Sequence, residues 1–176
     1  LRGWPRDQVF VIDKIDHLVL IETPVIEYQH PPVDAVAERI ARYIASIIDD
    51  GATLQIGIGR IPNETLKYLV YKRDLGVHTD VVTDSIIPLI EQGIVTGTQK
   101  SVHRGKIVAS YCFGTRRLYD LIDRNPMFSF HPIEYVSSIP LIAQQKRMVS
   151  GSSRSPTGGS RKKSPEKMTW MPPKGR

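Results

Sequence analysis

The sequence predicts an α/β fold, on three observations. Gly51–Asp84 reads as a strand (Thr53–Ile58), a glycine turn, a helix (Glu64 to about Lys72) and a second strand (Val77–Val82). Asp34–Ile48 carries apolar residues at helical spacing, begins at a plausible aspartate cap and ends before a glycine. Apolar residues make up 40% of the 176 residues, which is enough for the core of one ordinary domain.

The remaining elements follow from shorter patterns. Strands are predicted at Val9–Ile12, Leu18–Ile21, Ile94–Val95, Lys106–Phe113, Phe128–His131 and Glu134–Val136. Helices are predicted at Ser85–Gln92 and Thr115–Asp123, and Leu141–Ser150 could be either a helix or a strand. Thr23–Pro32, with its prolines, predicts an extended linker, and Thr96–Gly105 a polar hairpin or loop.

The net charge of +6 belongs to the C-terminal tail. Residues 151–176 hold seven of the 24 basic residues and one of the 18 acidic residues, so the first 150 residues carry equal numbers of each. The tail is rich in Gly, Ser, Pro, Lys and Arg, and we predict that it is disordered. Lys162 and Lys163 lack the aromatic residues and folded module of a nucleic-acid site, so no nucleic-acid partner is expected.

Cysteine usage and hydropathy favour an intracellular setting, and we expect the cytoplasm. Cys112 is the single cysteine, so no disulfide can form within the chain, and its apolar neighbours favour a core position over a nucleophile. No apolar run approaches the roughly 20 residues that span a bilayer, so no membrane partner is expected. The chain begins at Leu1 and shows no signal peptide, which we interpret as a partial chain.

The turn Gly57-Ile58-Gly59 is the first candidate site. It lacks the third glycine of a dinucleotide fingerprint and the Gly-Lys-Ser/Thr of a phosphate loop. Its glycines could simply allow tight packing between strand and helix. Alternatively, backbone N–H groups at the helix start could face a ligand carbonyl or phosphate.

Asp80 is the second candidate, on the strand that follows. It could be a structurally paired carboxylate, or a nucleophile or general base. His78, two residues earlier, would share a face with Asp80 on a regular strand. A His-x-Asp pair without an obvious third ligand is a poor metal site, so no metal is expected.

Two further groups have open interpretations. His103 and Arg104 could line a pocket, but a solvated loop is the alternative. Arg116 and Arg117 could hold an anionic ligand at a helix start, or they could be solvated.

Taken together, several segments resemble the acetyl-CoA hydrolase/transferase family, the branch of acyl-CoA:carboxylate CoA-transferases that includes 4-hydroxybutyrate CoA-transferase. The matching strings are DGATLQIGIGRIPN (Asp50–Asn63), DLGVHTD (Asp74–Asp80), HRGKIVASYCFGTRRLYDLIDRNP (His103–Pro126) and FHPIEYV (Phe130–Val136). The resemblance runs from about Val9 to Ser150, and its length and order make it more specific than any single motif.

The resemblance implies a CoA-transferase-like mixed sheet flanked by helices, with an incomplete second domain. Residues 1–32 would be the end of the first CoA-transferase domain plus a linker. Residues 33–150 would be the first half of the second domain, and residues 151–176 a disordered basic tail. Later glycine-rich coenzyme A segments of the family are not found, so we expect a truncated or frameshifted product.

The resemblance also implies a mechanism with a covalent carboxylate. Asp80 stands at the position of the family's nucleophilic glutamate, and its arm is shorter by roughly one C–C bond. The implied coenzyme-binding residues are Gly57, Ile58, Gly59, Arg60, Ile61 and Asn63. Acyl-CoA and a small carboxylate would be substrates, with coenzyme A not permanently bound, and a homodimer is conceivable. Hydrolysis of acetyl-CoA, a non-catalytic CoA-binding module and an inactive fragment stay open as alternatives.

Overall fold

The protein, described by a computed structural model, is built around a five-stranded sheet with helices on its faces. The structure describes residues 16–17, 19–20 and 22–151. The strands are β1 (Thr53–Ile56), β2 (Gly76–Val82), β3 (Ile107–Cys112), β4 (Phe128–Phe130) and β5 (Met148–Gly151). The helices are α1 (Ala35–Ile47), α2 (Arg60–Lys67), α3 (Ile87–Glu91), α4 (Arg116–Ile122), α5 (Ile133–Val136) and α6 (Ile139–Ala143), and a 3₁₀ turn spans Asp84–Ile86.

The α/β class is confirmed, and the sheet has the order β4-β3-β2-β1-β5. All four strand pairings are parallel, so the expectation of a mixed sheet is wrong for the described strands. The reason is connectivity, because each link between consecutive strands contains a helix that returns the chain to the starting edge. The strand order reverses between β1 and β5, where open parallel sheets commonly bind ligands at the carboxyl ends of their strands.

Side-chain contacts show which face of β2 meets which helices. Val77, Thr79 and Val81 line a cavity of about 10 Å³ together with Leu66 of α2. His78, on the opposite face, bonds the carbonyl of α5 residue Val136 at 2.8 Å. The core includes fully buried Leu69, Leu75, Val77, Ile107, Leu118 and Phe128.

The predicted helix at Asp34–Ile48 is confirmed as α1. The Asp34 carboxylate accepts hydrogen bonds from the backbone N–H groups of Val36 and Ala37 at 3.0 and 2.8 Å, as an N-cap does. The buried side of α1 is formed by alanines: Ala37, Ala41 and Ala45. Small side chains there let α1 lie close to α2, its main helical neighbour.

Two predicted elements are wrong in type or position. The helix expected at Glu64–Lys72 is α2, Arg60–Lys67, because Pro62 falls in the first turn, where its missing N–H breaks no helical bond. The strand expected at Glu134–Val136 is helix α5, which Pro132 precedes with φ −54°, a value suited to a helix start.

Other boundaries move by a few residues. Ser85–Gln92 becomes the 3₁₀ turn and α3, and Leu141–Ser150 contains the end of α6 and then β5. Ile94–Val95 contributes only a single bridge, between Leu75 and Val95. The strand predicted at Val9–Ile12 lies outside the described residues, as does the tail after Gly151, and the described part of Leu18–Ile21, residues 19 and 20, is not in a strand.

Candidate active site

The carboxyl ends of β1 and β2 bring the two main candidates to one edge of the sheet. The β1–β2 register pairs Leu54 with Val77, and three more residues along each chain lead to Gly57 and Asp80. Parallel strands lie about 4.8 Å apart, so this register sets the glycine turn beside the strand that carries Asp80. Asp80 itself is half-buried, between the core and the solvent.

A threonine hydroxyl joins the two strands where their backbone pairing stops. Thr79 Oγ1 accepts a hydrogen bond from Ile56 N at 3.0 Å and donates one to Ile56 O at 2.6 Å. The side chain therefore takes both bonds that a backbone partner would otherwise supply. It fixes the end of β1, and with it the start of the glycine turn, relative to β2.

The turn after β1 presents backbone donors at the start of α2. Gly59 is the N-cap residue, with φ 156°, and it has no side chain with which to cap the helix. Because the first N–H groups of a helix have no partner within it, those of Arg60 and Ile61 can bind an incoming oxygen. Ile58 is 62% exposed at the tip of the turn.

Asn63 is a buried polar residue in the same segment. It is 4% exposed, and its Oδ1 accepts a hydrogen bond of 2.6 Å from the hydroxyl of Thr83 at the end of β2. Its amide nitrogen has no hydrogen-bond partner. A buried donor of this kind costs free energy unless a ligand or solvent satisfies it.

Hydroxyl groups surround Asp80 on the α5 side of the sheet. The hydroxyl of Ser137, just after α5, donates to Asp80 Oδ1 at 2.8 Å. Ser110 of β3 stands level with Asp80, since Thr79 pairs with Ala109 and Val81 with Tyr111. The Ser110 hydroxyl is buried without a hydrogen-bond partner, next to the strand that carries the carboxylate.

The charge of Asp80 contributes to the pKa shifts of two neighbouring side chains, Tyr111 and His78. Burial and then the Asp80 carboxylate raise the pKa of Tyr111. Burial lowers the pKa of His78, an effect that the bond to the Val136 carbonyl and the Asp80 charge partly oppose. Since a carbonyl only accepts, His78 Nε2 carries the proton, and its Nδ1 is buried without a partner.

The other candidate residues from the sequence each have a partner or a packing role in the structure. His103 bonds the hydroxyl of Tyr135 of α5 at 2.7 Å. Arg116 pairs with Asp120 and Arg117 with Glu91, each at 2.8 Å on the surface, as expected of solvated arginines. Cys112 packs against the core as expected, and burial raises the pKa of its thiol.

Three site neighbours were absent from the sequence interpretation: Ser110, Tyr111 and Ser137. Only their positions in the fold bring them to Asp80, and the string His103–Pro126, which contains Ser110 and Tyr111, does not by itself assign them to the site. Within the described part of the chain, no cluster of three His, Cys, Asp or Glu side chains has the geometry of a metal site. Among the helices of the same part, none combines the length and hydropathy that a membrane crossing needs.

Comparisons with known proteins agree with the resemblance carried by the motifs. Residues 114–154 match the model of the acetyl-CoA hydrolase/transferase C-terminal domain. The chain is 37% identical over 152 residues to a 4-hydroxybutyrate coenzyme A transferase of Clostridium kluyveri, covering 85% of this chain and 35% of the relative. It is 37% identical over 139 residues to a succinyl-CoA:cyclohexane-1-carboxylate CoA transferase of Geobacter metallireducens, covering 79% and 32%.

Solved structures give the same result at the level of the fold. RipA from Yersinia pestis superposes with a TM-score of 0.77 at 31% identity, covering 84% of this chain and 34% of RipA. A 4-hydroxybutyrate CoA-transferase from Porphyromonas gingivalis gives a TM-score of 0.74 at 38% identity, covering 79% and 35%. The chain thus spans about a third of the length of the curated relatives it matches. On sequence and fold, most of the chain is similar to members of the acetyl-CoA hydrolase/transferase family, a family of enzymes, and it corresponds to part of their length.

Proposed function

We propose that this chain forms part of an enzyme that transfers coenzyme A between an acyl-CoA and a small carboxylate, with Asp80 as nucleophile. One observation carries the proposal: a half-buried carboxylate lies at the carboxyl edge of β2, beside the strand end that leads into Gly57–Gly59. The relatives' names as CoA transferases add support.

The proposed reaction has two exchanges at one carboxylate. An Asp80 oxygen attacks the thioester carbonyl, the C–S bond breaks, and coenzyme A leaves as a thiolate from an acyl–aspartyl anhydride. The thiolate then attacks the aspartyl carbonyl of the anhydride, releasing the first carboxylate and leaving an enzyme–CoA thioester. The acceptor carboxylate reverses both steps with its own acyl group and regenerates Asp80. Attack of water on either intermediate would give acetyl-CoA hydrolysis instead.

In this proposal, the turn and the start of α2 hold the coenzyme and the developing oxyanion. The N–H groups of Arg60 and Ile61 are donors of the type that stabilises a tetrahedral intermediate. Asn63 would supply a further donor through its unpartnered amide nitrogen. Gly57, Ile58 and Gly59 would let the backbone approach the thioester closely, because the glycines lack a Cβ and Ile58 turns outward.

The hydroxyl of Ser137 would orient the Asp80 carboxylate, through its 2.8 Å bond to Oδ1. Oδ2 is then the oxygen left to attack. The short arm of aspartate places that oxygen farther from the substrate than a glutamate would, and a misplacement of about 1 Å can cost on the order of 10²-fold in rate. The division into a first-domain end at 1–32 and half of a second domain at 33–150 is part of the same proposal.

The test is an acyl-CoA:acetate exchange assay with three proteins. Asp80→Asn keeps the shape and removes the nucleophile, so we expect its exchange rate to fall to background. Asp80→Glu restores the longer arm, and we expect it to retain or exceed the original rate. Exchange that survives unchanged in Asp80→Asn would remove this residue from the mechanism.

A second candidate function is a non-catalytic module that binds coenzyme A. The aspartate arm at position 80 favours it, because the same turn could hold the ligand while the carboxylate stays out of reach. Calorimetry with coenzyme A separates the two candidates, since this function predicts binding that Asp80→Asn leaves intact, and no exchange by any of the three proteins.

A further inference from the structure

A polar groove lies at the opposite edge of the sheet from Asp80. It has a volume of about 450 Å³ and is lined by Gln99, Lys100, Ser101, Arg104, Lys146 and Arg147. Four of the six lining residues are cations, and none is an acid. Arg147 immediately precedes β5, and its carbonyl accepts a bond from Thr53 at the start of β1, so the groove sits at the amino ends of these strands.

The four cations of this groove form no ion pair within the described residues. Other arginines of the described chain, such as Arg42 and Arg117, hold a carboxylate at 2.7–2.8 Å. In the groove, Arg104 Nε donates to the Thr98 carbonyl at 3.0 Å, and Arg147 Nη1 donates to the Asp50 carbonyl at 3.2 Å. Each guanidinium has five N–H donors, so most of the donors of Arg104 and Arg147 are available to bind an anion.

Lys100 contributes a buried positive charge at the back of the groove. It is 2% exposed, and its ammonium donates to the carbonyls of Val77 and Lys106 at 2.8 and 2.7 Å. An ammonium has three N–H donors, so one is left over. A buried cation without a counter-ion is unfavourable, and a bound anion would relieve that cost.

Hydrogen bonds join the two segments that form the groove, residues 99–104 and residues 145–147, and fix their relative position. Buried Gln145 accepts from the Ser101 N–H at 3.2 Å and donates to the Val102 carbonyl at 3.2 Å. The Lys146 N–H donates to the Ser101 hydroxyl at 3.2 Å. Gly51, at φ 72°, lies against the wall of the groove, since a Cβ there would be 3.4 Å from Arg147 Nη1. The cations are thus arranged before any ligand arrives, which reduces the ordering cost of binding.

We propose that this groove binds a small ligand bearing two or more phosphate groups. A guanidinium can donate two parallel hydrogen bonds to two oxygens of one phosphate, and a lysine ammonium adds a compact positive charge. Proteins use this combination to recognise phosphates. The volume is in the range of small-molecule sites, and four cations can neutralise a diphosphate. The ligand chemistry is therefore a pyrophosphate-type group, either free or as part of a larger molecule such as coenzyme A.

The experiment titrates the full chain with inorganic pyrophosphate and follows the backbone amides of Ser101 and Lys146 by NMR. The groove variant is Arg104→Gln/Lys146→Gln. The matched control, Arg39→Gln/Arg124→Gln, removes the same charge from exposed arginines outside the groove. We expect the groove variant to bind pyrophosphate at least about tenfold more weakly and the control to bind within about twofold of the unaltered chain.

A competition then distinguishes the two sources of the phosphate. Coenzyme A that displaces pyrophosphate from the Ser101 and Lys146 amides identifies the larger ligand, and failure to displace it identifies free pyrophosphate as the class. The proposal is overturned if pyrophosphate leaves these amides unmoved, or if both double variants lose affinity equally, as an effect of net charge alone would predict. It is also overturned if the groove variant binds as tightly as the unaltered chain. None of these results bears on Asp80, because the groove lies at the other edge of the sheet.

Discussion

Replacing Thr79 by valine should detach the end of β1 from β2. Thr79 is fully buried, and its hydroxyl makes two hydrogen bonds to Ile56, at 3.0 and 2.6 Å. Valine has nearly the same shape and suits a strand, but it leaves the N–H and C=O of Ile56 without this partner. Each unsatisfied buried group costs about 1–3 kcal/mol, so for the two groups we expect a loss of about 2–6 kcal/mol in the free energy of unfolding.

Thr79→Ser is the matched control, because it keeps the hydroxyl and removes one methyl group. Its loss should be near the value of a single buried methyl, about 1 kcal/mol. Urea unfolding of the three proteins, followed by far-ultraviolet circular dichroism, measures the order. We expect the original chain to be most stable, serine next and valine least. A valine variant as stable as the serine variant would refute the role of the hydroxyl in joining β1 to β2.

Three further results are expected. Gly114→Ala should destabilise the fold by about 2–4 kcal/mol, as measured by urea unfolding. The added Cβ would stand 2.9 Å from the Asp84 carboxyl carbon and displace the carboxylate, which binds the amide and hydroxyl of Thr115. An unchanged unfolding midpoint would contradict this packing. The free energy of unfolding should fall as the pH drops below 6.5, because burial lowers the pKa of His78 in the folded protein. His78→Gln can still donate to the Val136 carbonyl, and it should reduce the dependence of stability on pH in this range. An equal dependence in both proteins would exclude this histidine as a cause. Burial lowers the pKa of Lys100 to about 8 from 10.5, so the free energy of unfolding should rise between pH 8 and 10.5. Relative to Lys100→Met, the rise should be up to about 3 kcal/mol. Parallel curves of stability against pH for the two proteins would contradict this prediction.

Local patterns in the sequence predicted the elements whose signals are local. The apolar period and the Asp34 cap predict α1 because both act within a few residues of the chain. Strand periodicity also places His78 and Asp80 on one face, and contacts with α5 and the Ser137 just after it confirm that placement. The glycine turn and Asp80 were selected from the sequence, and their roles stay proposals.

The rest depended on contacts between distant parts of the chain. The short run Glu134–Val136 was predicted as a strand, but Pro132 and its position over the sheet make it helical. The hydroxyls around Asp80 come from Ser110 and Ser137, which lie 30 and 57 residues away along the chain. The cationic groove joins residues near 100 with residues near 147, and neither segment alone has an unusual composition.

The most direct test of the central claim is to trap coenzyme A on residue 80. The protein is incubated with acyl-CoA, digested, and the peptide containing β2 (Gly76–Val82) is analysed by mass spectrometry, with Asp80→Asn as the parallel sample. If Asp80 is the nucleophile, that peptide gains the mass of coenzyme A less one water, the gain disappears with hydroxylamine, and the asparagine variant never shows it. Turnover of acyl-CoA with an unmodified β2 peptide, or an adduct that persists in Asp80→Asn, would contradict the account.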